Sequence, residues 1–369
     1  MDPAKNGLNI SHVEKNLRVK KHSPNDKVIA LAGNPNVGKS TVFNQLTGLN
    51  QHTGNWPGKT VASAQGYIRH NDKGYILVDL PGCYSLMAHS AEEEVARDFC
   101  CFGKADAIIV VCDATCLERN INLVLQTLEI TNNVIVCVNL LDEARKKKIY
   151  IDFERLSCML GVPVIGTAAR SKKGLDALLN ILNEFDHIPK NPVSIIYNEN
   201  IENFIGHLQP LIEKNCPELN SRWLAVKLLD SDESMLNSLS IYTDILDNKE
   251  IAKELEDIKT KIKNMNIGEL QIKDDIACTL VAKSEEICRN IFTAKESKLD
   301  RRLDKLFTSK RTGFPIMILI LMGIFWITIS GANYPSQLIS TVLFWIQEKL
   351  LVLLKYINLF LEKQENISP

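Results

Sequence analysis

Eight consecutive residues, Gly33-Asn34-Pro35-Asn36-Val37-Gly38-Lys39-Ser40, have the form G-x-x-x-x-G-K-S. Glycines in such a loop let backbone N–H groups curl around phosphate oxygens, and the N-terminus of a following helix adds positive potential. Lys39 is placed to reach the β- and γ-phosphates of a nucleotide, and the Ser40 hydroxyl to hold Mg²⁺. The pattern has meaning only between a strand and a helix. Val28–Ala32 supplies a short apolar run ahead of it, and Thr41 to Leu46 reads as the first turns of a helix behind it.

Three further motifs follow in order. Asp79-Leu80-Pro81-Gly82 has the form D-x-x-G, in which Asp79 holds Mg²⁺ through water and the Gly82 N–H faces the γ-phosphate. Asn139-Leu140-Leu141-Asp142 has the form N-x-x-D. A carboxylate at Asp142 accepts two hydrogen bonds from the guanine N1–H and 2-amino group, a donor pair that adenine lacks, so the pattern selects GTP over ATP. Leu140 stands where many GTPases carry lysine. In Thr167-Ala168-Ala169, a small residue lets a backbone N–H approach guanine O6; Ala168 stands where many relatives carry serine. Between the first helix and the second strand, Gly58-Lys59-Thr60 falls where a switch threonine is expected, its hydroxyl and carbonyl reaching Mg²⁺ and γ-phosphate only in the triphosphate state. The residue after Gly82 is Cys83, so no side-chain amide orients the attacking water there, and slow intrinsic hydrolysis is expected.

These residues need an open, doubly wound α/β sheet, with every motif at the C-terminal end of a strand. Six candidate strands fit: Val28–Ala32, Val61–Arg69, Tyr75–Asp79, Ala107–Cys112, Val134–Asn139 and Val162–Gly166. They predict a mostly parallel six-stranded P-loop GTPase domain over 27–190.

The chain has 369 residues, enough for further domains, and a net charge of −1, which gives no global basic character for nucleic acid. Its ten cysteines include no C-x-x-C pair and read as reduced, buried thiols. Residues 1–26 are polar without a clear period: an extension of marginal order, with no secretory signal and no assignable role. From 191 to 273, after a last strand-like run at Val193–Tyr197, apolar residues recur at helical spacing, with helices expected at 201–212, Trp223–Leu229 and Ile251–Met265. Over 274–311 a helix from Ile276 to about Ala294 is followed by basic residues that favour a cytosolic side. No charged residue occurs between Thr312 and Glu348. A membrane helix is expected over about 314–332, some 19 residues against the roughly 20 that span a bilayer. Asn333-Tyr334-Pro335 is expected to break it, ahead of an interfacial amphipathic helix over 338–361 with Ser340, Thr341, Glu348, Lys355 and Glu362 on one stripe.

Together, GNPNVGKSTVFNQLTG, QHTGNWPGKTV and VDLPGCYSL resemble the cytosolic G domain of bacterial ferrous iron transport protein B, and RTGFPIMILILMGIFWITISG resembles that family's first membrane helix. The resemblance implies a GTPase using GTP/GDP and Mg²⁺ and stimulated by K⁺, with Asn36 as a K⁺ ligand. It makes the 191–273 region a helical domain that slows nucleotide release. It also implies Fe²⁺ as the cargo of the full system, an inner-membrane location with the GTPase and helical domains in the cytoplasm, and small partner proteins of iron uptake; homo-oligomerisation stays open. The chain looks truncated, and no iron transport by it alone is expected. The alternatives are a soluble regulatory GTPase of ribosome assembly or tRNA modification, disfavoured by the missing basic surface and the apolar segment at 313–330, and a membrane-tethered protein that binds GTP without turning it over.

Overall fold

The computed structural model describes residues 21–48, 51–56, 61–87, 90–265, 268–292 and 312–365, together with Leu8, Leu17 and Val19. Within the first part of the chain the order is β1 (Lys27–Gly33), α1 (Lys39–Thr47), β2 (Gln51–Asn55), β3 (Ala62–His70), β4 (Lys73–Asp79), α2 (Ala91–Phe102), β5 (Ala107–Asp113), α3 (Leu117–Ile130), β6 (Val134–Asn139), α4 (Leu141–Lys146), α5 (Phe153–Leu160), β7 (Val164–Gly166) and α6 (Leu175–Glu184).

One seven-stranded sheet runs β2-β3-β4-β1-β5-β6-β7. β4, β1, β5, β6 and β7 are mutually parallel, and β2 and β3 join antiparallel at one edge. The central strands are continuous apolar runs because helices cover both faces. Val28, Ala30 and Ala32 enter one core; Ile29 and Leu31 enter the other, beneath α1 and α6. The sheet has one strand more than the sequence reading gave. β2 is the polar segment Gln51-His52-Thr53-Gly54-Asn55, which carries no apolar alternation; pairing with β3, Thr53 opposite Ala64, is what makes it a strand.

Five helices follow: α7 (Glu199–Asn215), α8 (Ser221–Asp230), α9 (Glu233–Tyr242), α10 (Lys249–Asn264) and α11 (Glu269–Ile291). Asn198, Asn220 and Asn248 cap α7, α8 and α10 through their side chains, satisfying helix N–H groups that have no partner within the helix. Three expectations change here. Val193–Tyr197 is not a strand: Ile195 and Tyr197 are buried in an irregular segment pinned by Arg222, which donates to Ile195 O at 2.6 Å. α9 was not expected, since its Ser- and Asn-rich sequence shows little periodicity. α11 begins at Glu269 instead of Ile276 and ends at Ile291.

The helices do not form a separate core. Ile201, Leu208, Trp223, Leu239, Ile276 and Ile287 are continuous with the core that covers one face of the sheet. Arg97 on α2 is fully buried there. It pairs with Asp98 at 2.8 Å and donates to the Ser234 and Ser238 hydroxyls of α9 at 2.9 and 2.6 Å. Removing one partner of such a buried network costs about 3–5 kcal/mol, so Arg97 fixes α2 to α9 firmly. The N-terminal extension also packs: Leu17 is buried and Leu8 forms a β-bridge with Thr243, so apolar contacts order part of a segment expected to be marginal.

The described part of the second unit is one helix, α12 (Gly313–Glu365), of 53 residues. It continues through Asn333-Tyr334-Pro335, where a break was expected. A proline removes one helix hydrogen bond and strains the preceding turn; that bends a helix but does not end one favoured on both sides. Among the described residues, no helix is long and apolar enough to cross a membrane.

A nucleotide-shaped site at the strand ends

The parallel strands bring Gly33, Asp79, Asp113 and Asn139 to one edge of the sheet. The phosphate loop leaves β1 at Gly33 and enters α1 at Lys39. Its shape requires glycine at two places. A Cβ at Gly38, which has φ +83°, would lie 2.4 Å from Asn139 Nδ2, and a Cβ at Gly33 would lie 2.6 Å from Val111 O. Asn36 takes a left-handed conformation, φ 65°, which asparagine tolerates better than most residues, and is exposed at the loop surface. Pro35 and Thr41 are half-buried and Val37 is buried. Asn34 is buried on the inner side of the loop.

Lys39 and Ser40 converge on Asp79. The Lys39 ammonium pairs with one carboxylate oxygen, and the Ser40 hydroxyl donates to the other at 3.2 Å. Lys39 is buried, so the pair sits where neighbouring charges act strongly. The loop Leu80-Pro81-Gly82 lies directly on the phosphate loop: Leu80 N–H donates to Leu31 O at 3.1 Å, Cys83 N–H to Gly33 O at 3.2 Å, and a Cβ at Gly82 would lie 3.2 Å from Pro35 Cα. Burial, and after it the nearby Glu93, push the Cys83 thiol up to about 12 against the pull of Lys39. Cys83 therefore stays a neutral thiol at physiological pH and is no general base.

Asn139 does more than open a motif. Its buried amide donates to Val37 O at 3.0 Å, and its carbonyl accepts from the Thr167 hydroxyl at 3.1 Å and from the Ala169 N–H at 3.0 Å. One side chain thus ties the phosphate loop to the 167–169 loop. N-x-x-D alone signals a base-reading loop; the tether is visible only once β6 lies between β5 and β7. Leu140 then turns left-handed, φ 62°, at the start of α4. This conformation costs a bulky residue about 1–2 kcal/mol. Leu141 N–H donates to Thr167 O at 3.2 Å. Asp142 is half-buried in the first turn of α4, and among the described residues no side chain pairs with it. The backbone donor expected for guanine O6 is already engaged: Ala168 N–H bonds Lys173 O at 3.0 Å and Ala169 N–H bonds Asn139. Gly58, Lys59 and Thr60 lie outside the described residues. Their stem is closed by Trp56 N–H donating to Val61 O at 2.9 Å.

The glycine cradle that side chains would fill, the Lys39–Ser40–Asp79 cluster and the open Asp142 carboxylate fit a nucleoside triphosphate with Mg²⁺. For ferrous iron transport protein B, the N-terminal family model matches residues 27–182, and the model for the FeoB cytosolic helical domain matches residues 197–293. The cytosolic domain of the T. maritima FeoB iron transporter in a GDP form is 30% identical, with a TM-score of 0.62, and the match covers 73% of this chain and 100% of that one. A GDP-bound S. thermophilus FeoB G domain is 31% identical, with a TM-score of 0.63 and 72% and 100% coverage. The chain belongs to the FeoB family. Its first domain is accordingly a P-loop GTPase domain, followed by the FeoB helical domain. The Fe²⁺ transporter FeoB of Salmonella choleraesuis is 35% identical over 315 residues, covering 83% of this chain and 39% of the transporter. The Escherichia coli protein is 33% identical over 325 residues, covering 86% and 41%. The chain thus spans about two fifths of the length of these relatives.

The Asn139 tether is directly testable. Asn139→Ala would leave Val37 O, the Thr167 hydroxyl and the Ala169 N–H buried without this partner, at about 1–3 kcal/mol each. Chemical denaturation is expected to show a loss of at least about 2 kcal/mol, and fluorescent GDP titration a loss of tenfold or more in affinity. Wild-type values in both would contradict the tether.

Proposed function

We propose that this chain is the GTP-binding and GTP-hydrolysing part of a ferrous iron transporter, coupling nucleotide state to Fe²⁺ uptake across the inner membrane. The observation that carries the GTPase reading is the convergence of Lys39, Ser40 and Asp79 beneath a glycine-shaped loop that Asn139 holds against the 167–169 loop.

The Lys39–Asp79 pair must open for catalysis. Lys39 turns to phosphate oxygens, and Asp79 and Ser40 are freed to hold Mg²⁺. The ion, when bound, would supply positive charge that neutralises phosphate oxygens. The backbone N–H groups of residues 36–40 take phosphate oxygens, with Gly82 N–H and Thr60 at the γ-phosphate. Asp142 accepts the guanine N1–H and 2-amino protons, while Leu140 and Ala168 shape the base pocket. A base-contacting N–H from the 167–169 loop requires Ala169 to share or release its bond to Asn139. Cys83, neutral and buried, orients no water, which supports slow turnover. The exposed Asn36 at the loop surface supports a K⁺ site beside the phosphates.

Membrane attachment is read from α12. Phe314, Met317, Leu319, Met322, Phe325 and Trp326 are all exposed, in a stretch without charge. Lipid around residues 314–332 would cover them. The basic residues preceding this stretch support a cytoplasmic GTPase domain.

Two measurements test the reading. Asp142→Asn is expected to weaken GTP binding by tenfold or more while improving binding of XTP, whose 2-oxo group needs a donor; unchanged GTP affinity would remove Asp142 from base recognition. Phosphate release is expected to be faster in KCl than in NaCl at equal ionic strength, with the difference abolished in Asn36→Ala. Equal rates in the two salts would exclude the K⁺ site.

A further inference from the structure

Asn34 does not behave like the rest of the phosphate loop. It is 4% exposed, yet neither its amide nitrogen nor its carbonyl oxygen has a hydrogen-bond partner among the described residues. A buried primary amide left unpaired pays its desolvation cost with no hydrogen bond in return. Groups of this kind are rare in folded proteins, and violations of local rules gather at functional sites.

The surroundings indicate what that use is. Val28, Ala30 and Ala32 point into the core that also holds Leu80, Cys83 and Leu86, and Asn34 is the next position of the same parity. Its two neighbours are the residues on which the 80–83 loop rests: Gly33 O accepts the Cys83 N–H at 3.2 Å, and Pro35 packs beneath Gly82. Asn34 therefore sits at the elbow between the phosphate loop and the loop that must answer the γ-phosphate. An amide offers both donors and an acceptor, the complement of peptide N–H and C=O groups.

We propose that Asn34 is a positioning residue for hydrolysis: its carboxamide takes up backbone groups of the 80–87 loop when that loop closes on the γ-phosphate, holding Gly82 in register. It touches neither nucleotide nor metal. The unpaired amide destabilises the form described above relative to the triphosphate form, so its hydrogen bonds are gained only where they favour catalysis.

The inference rests on the GTPase reading and is tested on the full chain with Asn34→Leu, close in volume and without polar atoms. Melting temperature without nucleotide, affinities for GDP and the non-hydrolysable analogue GMPPNP, and GTP turnover are measured. The variant is expected to melt at or above the wild-type temperature, to bind GDP within threefold of wild type, and to lose tenfold or more in both GMPPNP affinity and kcat. A lower melting temperature with unchanged turnover would mean that Asn34 is satisfied structurally, for instance by an internal water, and would overturn the proposal. So would a parallel loss of both nucleotides, or wild-type kinetics. Asn34→Ala substitutes if the leucine variant does not fold; failure of both to fold also assigns a structural role and overturns the proposal. A wild-type chain without GTP turnover would instead overturn the GTPase reading itself.

Discussion

The site depends on the buried side chain of Asn139. It lies at the end of β6 and satisfies groups from two loops that are far apart in sequence, Val37 on one side and Thr167 and Ala169 on the other. The bonds are buried at the strand ends, where water cannot compete for them, so breaking them carries the full desolvation penalty. The loop that cradles phosphate and the loop beside the base are thereby held in fixed relation. Gly38 leaves room for this arrangement because any side chain there would occupy the space of the Asn139 amide.

Around that fixed part, the described form is held in a resting arrangement. Lys39 and Ser40 both engage Asp79, which occupies the groups a nucleotide and its metal would need. Binding therefore exchanges interactions within the protein for stronger ones with phosphate. The helical domain is close enough to respond. Arg97 joins α2, which follows the 80–87 loop, to α9. On the base side, Asp152 N–H donates to Ile291 O at 3.0 Å and Ile151 bridges Phe292, tying the segment after α4 to the end of α11. Both loops of the site thus have a mechanical connection to the helices.

Much of this was legible in the sequence because chemistry restricts it. The apolar runs at 28–32, 75–79 and 134–139 are long enough to be strands and too short for helices, and they lead directly into Gly33, Asp79 and Asn139. What escaped was set by tertiary contact. β2 is polar and becomes a strand only against β3. α9 lacks a clean apolar period and is positioned by Arg97. The order in the N-terminal extension comes from Leu8 and Leu17 finding distant partners. The break expected at Pro335 failed because a local rule was applied to a helix that continues on both sides. Asn34 read as one more phosphate-loop residue, since burial without a partner has no signature in sequence.

The central claim is that these loops form a site that hydrolyses GTP in preference to ATP. It is tested most directly by measuring phosphate release from the purified full chain with GTP or ATP in Mg²⁺ and K⁺, beside Lys39→Ala. Slow release from GTP, little from ATP, and none above background in the variant are expected. Equal release from ATP, or release that survives loss of Lys39, would contradict the account.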